Sequence, residues 1–481
     1  MRSLTPFHSL ILLLVLGISC LGLSMVWPEN GLGSDPWKLR FYNWNPNAVD
    51  STAALDMSAH LAQLDSLARI DSLRRLHDTV HVQRTNTIAS LQFKDGLSLP
   101  FHGFFEALDS AHVRNVDVFH FGDSQIECDR MTQILRMQLQ STFGGYGPGM
   151  ISPVPLVATS HIVQSQSPNW KRCTAYGYQD SKVKHSVYGA MCSFGRFDCS
   201  AADSTEGSIE LSPTRFGDVR NKTYRLARVY YRCPDGLASL RVESDGASIW
   251  HAHLPQTADV SMAEIPLPQT PQKLRLVFRA MQSPEVHGIQ LEEPTGVSVS
   301  NIALRGSDGF LFTRTHLPAM GRTFAHENTR LIILQFGGNS IPYIKSATHA
   351  QQCADQLGNQ IRALRAIAPH AAILVVGPSD MSTSVDGELQ SYPYVAAYND
   401  AIKAKAFELG CAFWDMYAVM GGKNSMIAWV NHQPPYAGPD YTHFTPIGAR
   451  KMGEYLAKAL LDEYHAWKTA KSSIPKTAST L

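Results

Sequence analysis

The chain carries almost no surplus charge. Its 481 residues include 42 Lys and Arg against 41 Asp and Glu, a formal charge of +1. Nucleic-acid binders usually gather a basic surplus on one face, so the balance argues against that class. It also excludes an acidic, solvating, disordered chain. Cysteine is scarce, and eight are too few to staple a protein of this length. No CxxC pair and no Cys/His cluster with zinc spacing occurs, so no metal or cofactor is expected. Internal repeats are lacking as well. What is present is 44% hydrophobic beside 17% charged residues, the mixture of a globular protein with a sizeable core. At ~100–200 residues per domain the length suggests two or three domains.

One long hydrophobic run opens the chain. Leu10 to Trp27 is free of charge over 18 residues, within the ~17–25 needed to cross a hydrocarbon core. Arg2 and the free amine precede it, which favours a cytoplasmic N-terminus and an exported body. The run exceeds the ~7–15 residues of a signal-peptide core, and no A-x-A site follows. Gly17-Ile18-Ser19-Cys20 only loosely resembles a lipobox. We therefore expect an uncleaved membrane anchor over 1–27, in a bacterial inner membrane with the body in the periplasm. Export after signal cleavage is the alternative. In an oxidising compartment Cys192 and Cys199 could close a small loop, with Cys173 and Cys233 in the same region; free buried thiols are the equal alternative.

Residues 28–95 read as a linker and a helical stalk. The first part is rich in Pro, Gly, Asn and Trp. Over 53–80, Leu61, Leu64, Leu67, Ile70, Leu73 and Leu76 recur every third residue. That spacing walks around a helix instead of holding one face. Asp65/Arg69 and Asp71/Arg75 add i,i+4 pairs suited to an exposed helix.

From about residue 96 the pattern becomes α/β. A helix is expected over 104–111, an apolar strand over 116–121, then Gly122-Asp123-Ser124 and a helix over 130–139. Strand, sharp turn and helix begin an α/β unit, here 96–150. Residues 151–298 differ. Short alternating stretches, such as 224–231, 238–242 and 273–278, are separated by Gly, Pro and Asp, the pattern of an inserted β-sandwich. The α/β pattern resumes over 299–467. Strands are expected at 331–336, 371–376 and 411–414, with helices over 347–368, 394–409 and from Pro446. The tail, 468–481, reads as disordered.

A serine leaving a strand sits where parallel α/β sheets place ligands, beyond the carboxyl ends of the strands. A helix N-terminus there adds free N–H groups and partial positive charge, suited to a nucleophile. By itself Gly-Asp-Ser is also an ordinary turn. Gln335-Phe336-Gly337-Gly338-Asn339 ends another buried strand with two glycines and an amide. Glycine permits close backbone approach, and an Asn amide can donate to an oxyanion. Asp440-Tyr441-Thr442-His443 precedes the last helix. An Asp three residues before a His can orient its ring and leave Nε2 free to take a proton from serine.

Together these segments resemble the SGNH (GDSL-like) hydrolase superfamily. Gly122-Asp123-Ser124 matches its first block, Gly306 in Asn301-Ile302-Ala303-Leu304-Arg305-Gly306 its second, with Gly309 nearby. Gly337-Gly338-Asn339 matches its third and Asp440 to His443 its fifth, all in family order. The resemblance implies a flavodoxin-like three-layer α/β/α sandwich and a triad of Ser124, His443 and Asp440. It implies an oxyanion hole from the N–H groups of Ser124 and Gly306 plus the Asn339 amide. Gln125 stands where the naming motif has Leu, and Ser340 where many members have Asp. Asp123 reads as a loop residue, not as the triad acid.

A β-sandwich inserted after the first block is similar to the peptidoglycan O-acetylesterases of this superfamily, where the insert resembles a carbohydrate-binding module. Residues 123–131 and the glycine-rich 143–149 share that character. Trp170, Tyr176, Tyr178 and Trp250 could stack on sugars, although such residues more often fill cores. The resemblance implies a serine esterase removing O-acyl groups, acetyl first, from a cell-envelope polysaccharide. An O-acyltransferase with the same triad and a non-catalytic glycan-binding protein are the rival readings.

Overall fold

The computed structural model describes residues 88–200 and 203–473. The expected anchor and the leucine-rich part of the stalk lie outside the described residues. Among those described, no helix is long and apolar enough to cross a membrane.

In chain order, helix α1 (His102–Asp109) leads to strand β1 (Asn115–Gly122) and helix α2 (Thr132–Phe143). Eleven short strands follow: β2 (Gly149–Ile151), β3 (Ile162–Gln166), β4 (Trp170–Thr174), β5 (Ser193–Phe197), β6 (Thr205–Pro213), β7 (Leu226–Cys233), β8 (Ala238–Ser244), β9 (Ala247–Leu254), β10 (Thr257–Pro266), β11 (Leu274–Ala280) and β12 (Glu285–Glu292). The α/β pattern then resumes with β13 (Gly296–Ala303), α3 (Leu317–His326), β14 (Thr329–Gln335), α4 (Ala347–Ile367) and β15 (Ala372–Val376). A small hairpin, β16 (Ser382–Val385) and β17 (Glu388–Ser391), precedes α5 (Val395–Glu408), β18 (Ala412–Trp414), α6 (Met416–Met420), α7 (Ser425–Asn431) and α8 (Pro446–Ser473).

One sheet runs β13-β1-β14-β15-β18 with every pairing parallel. In chain order that is 2-1-3-4-5, a doubly wound sheet whose switch point lies between β1 and β14. Its strands are apolar on both faces because helices cover both. Phe119, Phe121, Ile332, Leu334, Ile373 and Val375 face a core shared with Leu357, Ile361 and Ile402 of α4 and α5. Their neighbours Val116, Val118, Leu331, Ile333, Leu374 and Val376 face the other core, with Leu135 of α2 and Leu456 and Leu460 of α8. The alternation is the strand period of two, read in three layers.

The insert forms two antiparallel sheets, β10-β7-β12-β5-β4 with β2 on β12, and β3-β6-β11-β8-β9. Ile209, Leu211, Val229, Leu240, Phe278, Ile289 and their neighbours fill a separate core. Trp170, one of the candidate sugar-stacking residues, belongs to that core, edge-on to Phe197 and Phe278. Tyr178 is 92% exposed. Cys173, Cys192, Cys199 and Cys233 are all free thiols.

Three boundaries differ from expectation. The α/β part resumes with a strand that begins at Gly296, ahead of the boundary expected at 299, and this strand is the edge partner of β1. Residues near Gln92 are not stalk: Gln92 exchanges backbone hydrogen bonds with Phe413, and Leu91 and Phe93 are buried. They cover the edge left open at β18. The last helix continues past 468 through Ser473 because Lys468 and Lys471 reach Asp109 and Glu106 of α1, at 2.5 and 3.2 Å.

The insert is fused to the α/β body through buried charge. Asp117 (β1), Glu292 (β12) and Glu327 (just after α3) are all buried. Arg228 of β7 bonds Glu292 and lies 2.8 Å from Glu327. Tyr230 donates its hydroxyl to Glu327, and the Gln290 amide reaches Asp117 at 3.0 Å and Glu292 at 2.7 Å. Glu292 and Glu327 share the Arg228 guanidinium, while Asp117 is held by the Asn115 and Gln290 amides. Burial, reinforced by the Glu292 charge, lifts Glu327 to about 8. A carboxyl raised in the folded state binds protons that the unfolded chain releases, so its contribution to stability is lost as pH rises. Melting temperature is therefore expected to fall between about pH 5 and pH 8, and Glu327→Gln to flatten that slope. A melting series in which wild type and variant run parallel would reject Glu327 as the source of that slope.

Candidate active site

Gly122 ends β1 under steric demand. A Cβ there would lie 2.9 Å from both the Gln335 carbonyl and the Ile126 side chain. The chain turns at Asp123, whose carboxylate accepts the Gln125 N–H at 2.9 Å. The helix expected over 130–139 begins at Thr132, so the serine does not sit at its N-terminus. Ser124–Asp129 is a 3₁₀ stretch broken at Glu127 and Cys128, and α2 begins only at Thr132. Cys128 and Asp129 both take positive φ, 57° and 63°. Arg136 grips Asp129 through two bonds of 2.6 and 3.0 Å, which fixes this contorted loop under α2. The α-helix dipole is thus absent from Ser124.

Ser124 Oγ lies 2.8 Å from His443 Nε2. His443 Nδ1 lies 2.7 Å from Asp440 Oδ2, and the other Asp440 oxygen accepts the N–H groups of Thr442 and His443, each at 3.0 Å. The ring nitrogens are thereby placed in different roles, Nδ1 toward the carboxylate and Nε2 toward the serine. Partial burial acts upward on Asp440, but the hydrogen bonds from His443 and Thr442 outweigh it and hold the carboxyl below its usual range. The pair stays accessible, with the His443 and Asp440 side chains 38% and 51% exposed.

Asn339 follows β14, across the switch point. Its Nδ2 donates to Ser307 O at 3.0 Å and to Asp123 Oδ2 at the longer distance of 3.3 Å. Gly306 occupies the exposed turn after β13 with φ 75°, next to Ser307. Asp123 is buried, and burial raises its pKa to about 6 against the pull of the Gln125 N–H and the His443 charge. It acts as a loop cap, bonded to both the nucleophile turn and Asn339.

Beside this loop, Arg305 clamps Glu127 through two bonds of 2.7 and 2.5 Å. A cavity of about 70 Å³ adjoins it, lined by Glu127, Cys128 and Asn301 and, from the insert, Pro155, His161 and Arg172. Asp117, Glu292 and Glu327 are the only group among the described residues whose carboxyl oxygens approach metal-ligand spacing. Their hydrogen bonds to Arg228, Tyr230, Asn115 and Gln290 already engage those oxygens. Sequence reasoning missed this cluster, whose members lie far apart in the chain. It also missed Gln125, whose side chain bonds the loop around His443.

Residues 284–451 match the model of the GDSL-like Lipase/Acylhydrolase family. That span contains Gly306, Asn339, Asp440 and His443, and the fold adds Ser124 from the earlier strand. A solved structure of a peptidoglycan O-acetylesterase is 20% identical, covering 77% of this chain and 97% of its own, with a TM-score of 0.59. At that identity the likeness is one of fold. A family two carbohydrate esterase from Clostridium thermocellum in complex with cellohexaose is 12% identical, covering 62% and 99%, with a TM-score of 0.25. A salicylyl-acyltransferase from a tetracycline biosynthetic pathway is 14% identical, covering 66% and 99%, at 0.26. These last two superpose too poorly to inform fold or chemistry. Curated protein sequences gave no match. Residues 284–451 thus match a GDSL-like lipase/acylhydrolase model within an α/β fold similar to that of a peptidoglycan O-acetylesterase.

Proposed function

We propose that the chain is a serine esterase that removes O-acetyl groups from a cell-envelope glycan such as peptidoglycan. One observation carries the reading: Ser124 Oγ, His443 and Asp440 are linked by bonds of 2.8 and 2.7 Å at the switch point of the sheet. The nucleophile and its base are within reach, and the base is oriented by a third group.

Ser124 Oγ attacks the ester carbonyl while His443 Nε2 takes its proton. Asp440 holds the ring and balances the imidazolium. The charge on the carbonyl oxygen is received by the N–H groups of Ser124 and Gly306 and by Asn339 Nδ2, which exchanges its long bond to Asp123 for the oxyanion. His443 returns the proton to the departing sugar oxygen. Water then attacks the acyl-serine carbonyl, giving a proton to His443; the bond between the acyl carbon and Ser124 Oγ breaks, and His443 returns that proton to Oγ, releasing the acid and the free serine.

The glycan class is supported by the fold likeness to a peptidoglycan O-acetylesterase. The cavity that the insert shares with the nucleophile loop supports a part for the insert in holding the glycan. The charge-free run Leu10–Trp27 supports anchoring with the body on the outer face of a bacterial inner membrane. Fractionation with membranes and protease access from that face are the expected results; a mature N-terminus near residue 25 would show cleavage instead.

The central test is acetate release from O-acetylated peptidoglycan by the full chain, wild type against Ser124→Ala. Release by the wild type alone supports the proposal. Hydrolysis of p-nitrophenyl acetate without release from the glycan would reject the substrate. Acetyl recovered on a second glycan instead of in water would make the enzyme a transferase.

A further inference from the structure

Gln125 follows the nucleophile directly and is 5% exposed. Its side-chain amide reaches across to the loop that carries His443. Nε2 donates to Thr442 O at 2.5 Å, and Oε1 accepts the Phe444 N–H at 3.3 Å. Thr442 and Phe444 are the two residues flanking His443. One amide thus grips the backbone on both sides of the base, in the donor-plus-acceptor manner of a neighbouring strand. Nε2 also lies 3.3 Å from Ser379 Oγ, on the loop after β15. The backbone N–H of Gln125 is tied to Asp123.

The loop needs such a tether. Asp440 and His443 are half exposed, and the loop lies far beyond β18, the last strand of the sheet. Its own bonds, Gly438 N–H to His443 O at 2.8 Å and the Asp440 turn, hold it together locally. Those bonds set no distance to Ser124. The Gln125 amide and the Arg130 bond to Phe444 O at 3.3 Å do so, and Gln125 does it from the residue next to the nucleophile. Resting on the esterase reading above, we propose that Gln125 is a positioning residue that sets the Ser124–His443 distance by clamping the backbone on either side of His443.

A leucine has about the volume of glutamine and keeps the packing, but it makes neither bond. Misplacing a catalytic group by about 1 Å can cost ~10²-fold. Gln125→Leu in the full chain is expected to lower kcat on p-nitrophenyl acetate by about 10–100-fold, with KM within about twofold because Gln125 does not touch substrate. Covalent inactivation by a fluorophosphonate, which reports serine activation directly, should slow in parallel. Gln125→Glu supplies the conservative variant. A protonated carboxyl can donate to Thr442 O and accept from Phe444 N–H; an ionised one repels the carbonyl. Its kcat relative to wild type should therefore fall as pH rises, a tilt that a packing role would not produce.

Wild-type kcat and inactivation rate in Gln125→Leu would overturn the proposal. So would a loss matched by the unfolded fraction, with Gln125→Glu keeping the wild-type pH profile. An inert wild type would instead sink the esterase reading and not this clamp, whose effect is a ratio between active enzymes.

Discussion

Replacing Ser124 with alanine is expected to lower kcat for acetyl-ester cleavage by on the order of 10⁶-fold, with only the slow background of the remaining site left. The oxyanion donors and the binding surface survive the change, so ~10³–10⁴-fold catalysis over water is what persists. Stability should move by less than about 0.5 kcal/mol. The serine is partly exposed, and its side chain makes its bond to a half-exposed histidine. Steady-state kinetics on p-nitrophenyl acetate beside a melting curve check both halves. A variant near the wild-type rate would move the nucleophile elsewhere.

Asn339→Ala should cost ~10²–10³ in kcat, or roughly 2.7–4 kcal/mol of transition-state stabilisation. The loss should appear equally in kcat/KM, with KM nearly unchanged, because the donor acts on charge that exists only in the transition state. Asn339→Asp should be slower still. It repels the oxyanion, and it sets a second carboxyl beside Asp123, which already titrates near 6 through burial. Two carboxyls that close cannot both ionise freely. The variant should therefore lose stability more steeply with rising pH than the alanine variant does. If Asn339 merely capped a turn, Asp would serve it well, and a full-rate Asp variant would reject the oxyanion hole described here.

The parallel sheet was legible because its central strands are continuous apolar runs. Leu331 to Phe336 and Ala371 to Val376 are short apolar runs bounded by turn residues, the pattern of strands covered on both sides. The long helices before and after β15 fall within a residue or two of their expected limits. The strand β13 was hidden for the opposite reason. Its sequence alternates Val297, Ser298, Val299 and Ser300, the pattern of a half-exposed strand like those of the insert. Both serines are buried, Ser298 receiving the Gln290 amide and Ser300 the Met150 N–H. Their hydroxyls are spent on partners that no local pattern reveals. Gln125 was illegible in the same way, since an amide after a Gly-Asp-Ser turn is ordinary until Phe444 is seen beside it. Trp170 carried a misleading signal, because an indole suits a sandwich core as well as a sugar.

The two ends of the insert lie against each other. Gly149 pairs with Leu291, Val297 N–H bonds Gly144 O at 2.9 Å, and a Cβ on Gly296 would collide with Gly145 at 2.2 Å. This seam bears on how the chain is made. The nucleophile strand leaves the ribosome well before either neighbour that pairs with it, and an apolar strand waiting unpaired is prone to aggregate. A sandwich that closes first shortens the wait. Once folded, it hands β13 to β1 across a few residues instead of across the whole insert, so the entropy of closing that long loop is met before the central ladder forms. Loosening the seam, for example with bulky residues at Gly145 or Gly296, would then show first as poor yield during synthesis, even in molecules whose finished active sites are intact.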